Sequence, residues 1–186
     1  MKRLFDLAGA GVGLWFLWPA LLVVWIIVKL DSPGPGLHWS KRVGRDNRLF
    51  AMPKFRTMRI DAPQVATHLF SDADAFLTPI GKTLRRFSID ELPQLWSVLI
   101  GDMSLVGPRP ALFNQDDLVA LRTEQGVHNL RPGLTGWAQI NGRDEISIRE
   151  KVDLDREYMD RQSLAFDLKI LIATFAPVIS GRDFSR

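Results

Sequence analysis

Leu7-Ala-Gly-Ala-Gly-Val-Gly-Leu-Trp-Phe-Leu-Trp-Pro-Ala-Leu-Leu-Val-Val-Trp-Ile-Ile-Val28 contains no charged residue. As a helix, its 22 residues would extend about 33 Å at 1.5 Å per residue, close to the thickness of a bilayer's hydrocarbon core. A cleaved signal peptide would have a shorter apolar run followed by a small-x-small cleavage site, and neither condition is met here. Basic residues lie on both sides. Lys2 and Arg3 precede the run. Lys29 follows it, and then come Lys41, Arg42, Arg45, Arg48, Lys54, Arg56 and Arg59, opposed only by Asp46. Cationic flanks favour the cytoplasmic side. A single span cannot keep both flanks there, whereas a hairpin that enters and leaves by one face can. Pro19 sits mid-run, where it removes a backbone hydrogen bond and can break the helix at Trp18-Pro19. On the residues alone, a kinked hairpin and a straight span both stand.

The rest of the chain reads as globular. Hydrophobic residues make up 46% of the 186 residues and charged residues 24%, which excludes a disordered or collagen-like chain. There is no cysteine, hence no disulfide, thiolate metal site or cysteine nucleophile. The three histidines (His38, His68, His128) lack ligand spacing. A net charge of +3 is too mild to point to nucleic acid, so no nucleic-acid partner is expected.

Asp31-Ser-Pro-Gly-Pro-Gly36 forms a turn-rich exit from the apolar segment. Residues 37–58 alternate enough to predict short strands or a hairpin, and residues 60–78 read as a polar surface loop. Short helices are expected over 79–87, with Lys82, Arg85 and Arg86 on one side, over 91–100 and over 114–125. Ser147-x-x-Glu150 is a capping box opening a charged helix to about Arg161. Leu168, Leu171, Ile172, Phe175 and Ile179 share a face of a C-terminal amphipathic helix, fitted to core packing or to a membrane interface.

Phe87-Ser-Ile-Asp-Glu-Leu-Pro-Gln-Leu95 carries the chemistry. With Asp90 as N-cap, Pro93 falls at the third helical position, where its missing N–H does no harm, so capping alone accounts for Asp90. The Asp90-Glu91 pair also suits phosphoryl transfer. One carboxylate can attack phosphorus while its neighbour holds a divalent cation that neutralises the phosphates. Lys54, Arg56, Arg85, Arg86, Arg109, Arg131 and Arg143, several of them beside Gly/Pro turns, form a candidate anion-binding set.

Lys54-Phe-Arg-Thr-Met58, Asp90-Glu-Leu-Pro-Gln-Leu95, Gly101-Asp-Met-Ser-Leu-Val-Gly-Pro-Arg-Pro110 and Arg131-Pro-Gly-Leu-Thr-Gly-Trp-Ala-Gln-Ile-Asn-Gly-Arg143 resemble, in order, the motifs of the bacterial sugar transferases. These are monotopic polyprenyl-phosphate phosphoglycosyl transferases, and the chain resembles their minimal catalytic unit. The resemblance implies transfer of a sugar-1-phosphate from a UDP-sugar to undecaprenyl phosphate, with UMP released. It implies Asp90 as nucleophile in a ping-pong reaction, Glu91 with Mg²⁺, and Lys54 and Arg109 lining the polar site. It implies a lipid-bilayer partner and a place on the cytoplasmic face of the bacterial inner membrane. The expected fold is mainly α with minor β: a re-entrant membrane helix-break-helix over 1–30, then a compact cytoplasmic catalytic domain over 31–186 with amphipathic interfacial helices. Two departures stand out. The break is Trp18-Pro19 where the family commonly has Ser-Pro, and His38-Trp-Ser-Lys-Arg-Val-Gly44 replaces the commoner Arg-Gln-x-Arg wording. A non-catalytic, membrane-anchored polyanion-binding module is the competing reading of the basic cluster.

Overall fold

The computed structural model describes residues 1–62, 73–142 and 146–180. The fold is mostly helical with two small sheets. Helix α1 (Lys2–Asp31) runs through Pro19 as one continuous helix, where the sequence predicts two helices and a break. Proline removes one i→i−4 hydrogen bond, and the turns on either side keep theirs, so a kink need not end the helix.

One stripe of α1 is packed along its whole length. Phe5, Ala10, Leu14 and Leu17 join the main core, and Leu21, Val24 and Val28 join a second cluster with Phe55 and Leu84. From Ala10 onward the spacing of three and four residues is that of a single helical face. The opposite face exposes Trp15, Phe16, Trp18, Leu22, Val23 and Trp25. An apolar surface of that extent marks a membrane or protein contact.

Both ends of α1 are fastened to the same domain. At the start, Lys2 pairs with buried Asp167 at 2.7 Å, and Arg3 donates to the carbonyls of Val98 (2.6 Å) and Leu99 (2.8 Å). Buried Asp6 accepts from the Ser104 hydroxyl and the Leu105 amide, each at 3.0 Å. At the far end, buried Arg56 donates to the carbonyls of Val28, Ser32 and Pro33. Val28 and the C-cap Ser32 are among the carbonyls that a helix terminus leaves without partners, and Pro33 follows directly.

The domain begins with an antiparallel hairpin, β1 (Leu37–Val43) and β2 (Leu49–Phe55), in which His38 pairs with Lys54 and Arg42 with Phe50. Helix α2 (Pro79–Arg86) is capped by Thr78, whose hydroxyl accepts from the Gly81 amide. A 3-10 turn, Ile89–Gln94, then leads into α3 (Leu95–Ile100). Strand β3 (Ser104–Val106) pairs in parallel with β4 (Gly133–Thr135). Helix α4 (Asp116–Glu124) lies between them in sequence, and α5 (Trp137–Ile140), α6 (Ile148–Arg161) and α7 (Leu164–Ser180) complete the fold.

The hairpin, α2, α4 and the Ser147–Glu150 capping box match the sequence expectations. The β3–β4 pair was not foreseen. Glycine makes it possible: a Cβ on Gly133 would lie 2.1 Å from the Gly107 amide nitrogen, and one on Gly136 would lie 2.1 Å from the Gly107 carbonyl oxygen. Two motifs far apart in sequence are thereby brought backbone to backbone. Among the described residues of α7, Phe166, Asp167 and Ile170 are buried and Leu171 packs against the main core, while Leu168 and Ile172 are exposed, so only part of the predicted face meets the core. The side chains of Phe175 and Ile179, expected on that face, lie outside the described residues.

Candidate active site

The site forms where β2, the 3-10 turn Ile89–Gln94 and the loop after β3 converge. Asp90 does not cap α3 as the sequence predicts. The turn starts one residue earlier, at Ile89, after Ser88, which adopts a left-handed conformation (φ 54°). A non-glycine residue held there is strained, and such strain concentrates at functional positions. In the 3-10 ladder Pro93 cannot donate to the Asp90 carbonyl, so the backbone is loosened at the pair itself.

Asp90 is only 7% exposed, and no hydrogen bond from another described residue reaches its carboxylate. Burial raises its pKa above the ordinary aspartate value, and Glu91 adds to the rise. Lys54, Arg85 and Arg109 oppose it without cancelling it. Glu91 is the opposite case. Lys54 Nζ lies 2.9 Å from its Oε1, and Arg109 Nη2 lies 2.6 Å from the same oxygen. Arg109 Nη1 reaches Oε2 at 3.3 Å. Burial pushes the Glu91 carboxyl up, but these two cations outweigh it and hold the carboxyl well below the usual range. Burial lowers the Lys54 pKa, and Glu91 partly restores it. The neighbouring carboxyls therefore differ in kind: Lys54 and Arg109 favour the ionised form of Glu91, while burial disfavours that of Asp90, which accepts no hydrogen bond from another described residue.

Four predicted residues, Lys54, Asp90, Glu91 and Arg109, form this cluster, with Arg85 beside it donating to the Thr57 hydroxyl at 3.0 Å. Arg86 lies at the surface over the Phe87 ring. Arg56 closes the end of α1, and Arg131 donates to the Gly101 carbonyl at 3.0 Å, at the end of α3. Arg143 lies outside the described residues.

Two residues absent from the predicted set belong with the cluster. Arg42 donates to the Pro110 carbonyl at 3.2 Å, next to Arg109. Burial, and then the charge of Arg109, lower its pKa to about 10. His38 pairs across the hairpin with Lys54, and burial together with Lys54 and Arg42 lowers its pKa. The hairpin register held the signal, since His38, Arg42 and Lys54 share one face by the alternation of a strand.

The arrangement suits a polyanionic substrate. Arg42, Lys54, Arg85 and Arg109 stand around two carboxylates, leaving positive charge in excess. Among the described residues no group of three or more His, Asp or Glu could cage a metal. Mg²⁺ characteristically takes one or two carboxylates and completes its shell with substrate phosphate and water. Of the adjacent pair, Glu91 suits a cation shared with a bound phosphate.

The fold and site define a class with an N-terminal helix long and apolar enough to cross a membrane and a buried carboxylate pair set among cations. The chain belongs to the bacterial sugar transferase family, whose sequence model matches residues 1–181. It is 43% identical over 193 residues to an undecaprenyl-phosphate glucose phosphotransferase of Komagataeibacter xylinus, covering 98% of this chain and 36% of that protein. It is 43% identical over 181 residues to the "Uncharacterized sugar transferase EpsL" of Bacillus subtilis (strain 168), covering 96% of this chain and 87% of that protein. A third relative, a UDP-N-acetylgalactosamine-undecaprenyl-phosphate N-acetylgalactosaminephosphotransferase of Aeromonas hydrophila, is 36% identical over 187 residues, 97% of this chain and 44% of that protein. The chain thus spans less than half the length of two of these three relatives.

Proposed function

We propose that this protein transfers a sugar-1-phosphate from a UDP-sugar to undecaprenyl phosphate at the cytoplasmic face of the bacterial inner membrane. This would be the first membrane step of an exopolysaccharide or lipopolysaccharide. The observation that carries the reading is the Asp90–Glu91 pair: one buried carboxylate without a hydrogen-bond partner, beside another held by Lys54 and Arg109. The named relatives act on undecaprenyl phosphate with different sugars, which supports the reaction class and leaves the sugar open.

In the proposed mechanism an Asp90 carboxylate oxygen attacks the β-phosphorus of the donor. A new O–P bond forms, the bond to the bridging oxygen breaks, and UMP leaves with that electron pair. The phosphosugar is then held as a mixed anhydride on Asp90. An oxygen of the lipid phosphate attacks the same phosphorus, releasing the Asp90 carboxylate and completing a ping-pong cycle. Lys54 and Arg109, already gathered at Glu91, are positioned to bind the charged phosphate oxygens. Glu91 would hold Mg²⁺ together with phosphate, and the cation would supply charge neutralisation that lets one anion approach another.

The apolar outer face of α1 would sit in the bilayer with both helix ends on the cytoplasmic side, a re-entrant anchor kinked at Pro19. What supports this is that Lys2, Arg3 and Asp6 at one end and Arg56 at the other tie α1 to a single domain. A simple span would put the contacts at one end of α1 on the far side of the bilayer from those at the other.

The test is UMP release by nanodisc-held protein over a panel of UDP-sugars with Mg²⁺ and undecaprenyl phosphate, with intact-protein mass spectrometry when the lipid is omitted. A sugar-phosphate adduct that is lost in Asp90→Asn supports the covalent step. Lipid-dependent release with no adduct on a rapid quench would favour direct attack by the lipid phosphate.

A further inference from the structure

The Arg109 side chain is 42% exposed, so its own packing does little to aim it. Its backbone does more. Gly107 and Arg109 each precede a proline, which excludes helical conformations at both. Four successive carbonyls of the loop are then gripped. The Gly133 amide donates to Pro108 O at 2.8 Å, Arg122 Nη1 to Arg109 O at 2.8 Å, Arg42 Nη1 to Pro110 O at 3.2 Å, and the Val43 amide to Ala111 O at 2.9 Å.

Arg122 differs from the other donors. It comes from α4, away from the Asp90–Glu91 pair, and directs its other two nitrogens at Asp155 of α6. Its Nε and Nη2 lie 2.9 and 2.6 Å from Asp155 Oδ2. Both side chains are buried, at 9% and 2% exposure. A buried ion pair is a poor source of stability, since desolvating two charges offsets much of their attraction. What an apolar pair could not supply is a rigid, planar donor to the one carbonyl behind the site arginine. Asp155 also cancels the charge of Arg122, so the buried guanidinium adds little field to compete with Arg109 for phosphate. Helix α6 lies against the preceding strand as well, with the Tyr158 hydroxyl oxygen 3.1 Å from Val106 O.

We infer that Arg122 and Asp155 are a positioning pair, acting through the Arg109 carbonyl to hold the Arg109 guanidinium where a substrate phosphate meets it. The inference rests on the proposed function, which places Arg109 on phosphate. The test is a double-mutant cycle in nanodisc-held full chain, measuring UMP release at low and saturating donor. Arg122→Gln, Arg122→Lys and Asp155→Asn are each made alone and on Arg109→Ala, with folding checked by circular dichroism. In the wild-type background each is expected to lower kcat/KM about 10- to 100-fold, the scale of a misplaced binding group. On Arg109→Ala the same changes should cost less than about 2-fold, because the group they position is gone. Arg122→Lys keeps the charge but not the fork, so it should not rescue. If Arg122→Gln does not fold, the near-isosteric Asp155→Asn carries the cycle. Equal losses in both backgrounds, or full rescue by lysine, would overturn the positioning role and leave the proposed function intact. Arg109→Ala with wild-type rates would instead remove Arg109 from the proposed site.

Discussion

Two polar clusters in this molecule are made of the same residue types and do opposite things. Beneath the start of α1, Asp6 and Asp167 meet Lys2, Ser104, Tyr158 and the Leu105 amide. The Asp6 oxygens accept from Ser104 at 3.0 Å, and those of Asp167 accept from Lys2 and Tyr158 at 2.7 Å. Every carboxylate oxygen there has a protein donor. Around Glu91 the balance differs: Lys54 and Arg109 crowd one carboxylate, and the adjacent carboxylate of Asp90 accepts no hydrogen bond from another described residue. A closed network contributes stability and specificity of fold. An open one, with surplus cations and a desolvated anion, holds free energy in reserve for a substrate.

The largest expected effect of breaking this contrast is at Asp90. Asp90→Asn should lower turnover by at least about 10³-fold, since amide nitrogen and oxygen cannot replace a carboxylate nucleophile. The same change should stabilise the protein at neutral pH. Burial raises the folded-state pKa of Asp90, so its ionised form weakens the fold. That penalty is fully present above the folded pKa and is absent below the unfolded value, about 3.9. The melting temperature of Asp90→Asn should exceed that of wild type at pH 7–8 and converge with it as the pH falls toward that value. A mutant less stable than wild type at pH 8 would show that Asp90 belongs to the closed kind of cluster after all. The acid limb of the activity profile should fall at a pH above that of an ordinary carboxylate, because Asp90 must be ionised to attack.

Next in size is Lys54. Lys54→Met should reduce kcat/KM about 10²-fold, the usual loss on removing one preorganised charge from a developing phosphoryl transition state. A merely structural lysine would change melting temperature and leave kcat/KM per folded molecule near wild type.

In the closed cluster the signs reverse. Asp6→Ala removes the acceptor of the Ser104 hydroxyl and Leu105 amide, leaving buried donors unmet. It should destabilise by about 1–3 kcal/mol, read as a lower chemical-denaturation midpoint. Turnover per folded molecule should change little, as no described contact joins Asp6 to the Asp90–Glu91 cluster.

The contrast was half legible in the sequence. The open cluster was readable because its members sit in short motifs with Gly and Pro, and because Asp90 and Glu91 adjoin. His38 and Arg42 were harder, because membership depends on which strand face meets Lys54, and only the hairpin register fixes that. The closed cluster was hidden. Lys2 and Arg3 flank an apolar run, where the sequence offers them a topological part, yet Arg3 also caps α3 and Lys2 pairs with Asp167, 165 positions away. Arg56 stood among candidate phosphate ligands and here binds the last carbonyls of α1. Contacts so distant in sequence leave no periodic trace. The short parallel strands β3 and β4 escaped for a related reason: three residues are too few to show alternation, and the pairing depends on glycine approach at Gly107 and Gly133.

The smallest expected effect concerns Pro19. If the polar locks at the two ends of α1 set its topology, the proline kink is secondary, and Pro19→Ala should leave both ends on the cytoplasmic side. The chain has no cysteine, so single reporters are clean. Leu4 and Leu30 are 71% and 82% exposed at opposite ends of the helix. Leu4→Cys and Leu30→Cys, labelled with a membrane-impermeant maleimide in inverted and right-side-out vesicles, should both react from the cytoplasmic side, with or without Pro19→Ala. Labelling from opposite sides in the Pro19→Ala background alone would transfer the topological role from the locks to the proline. Opposite sides in the otherwise unchanged protein would mean a simple span, and the contacts at one end of α1 would then have to open in the membrane.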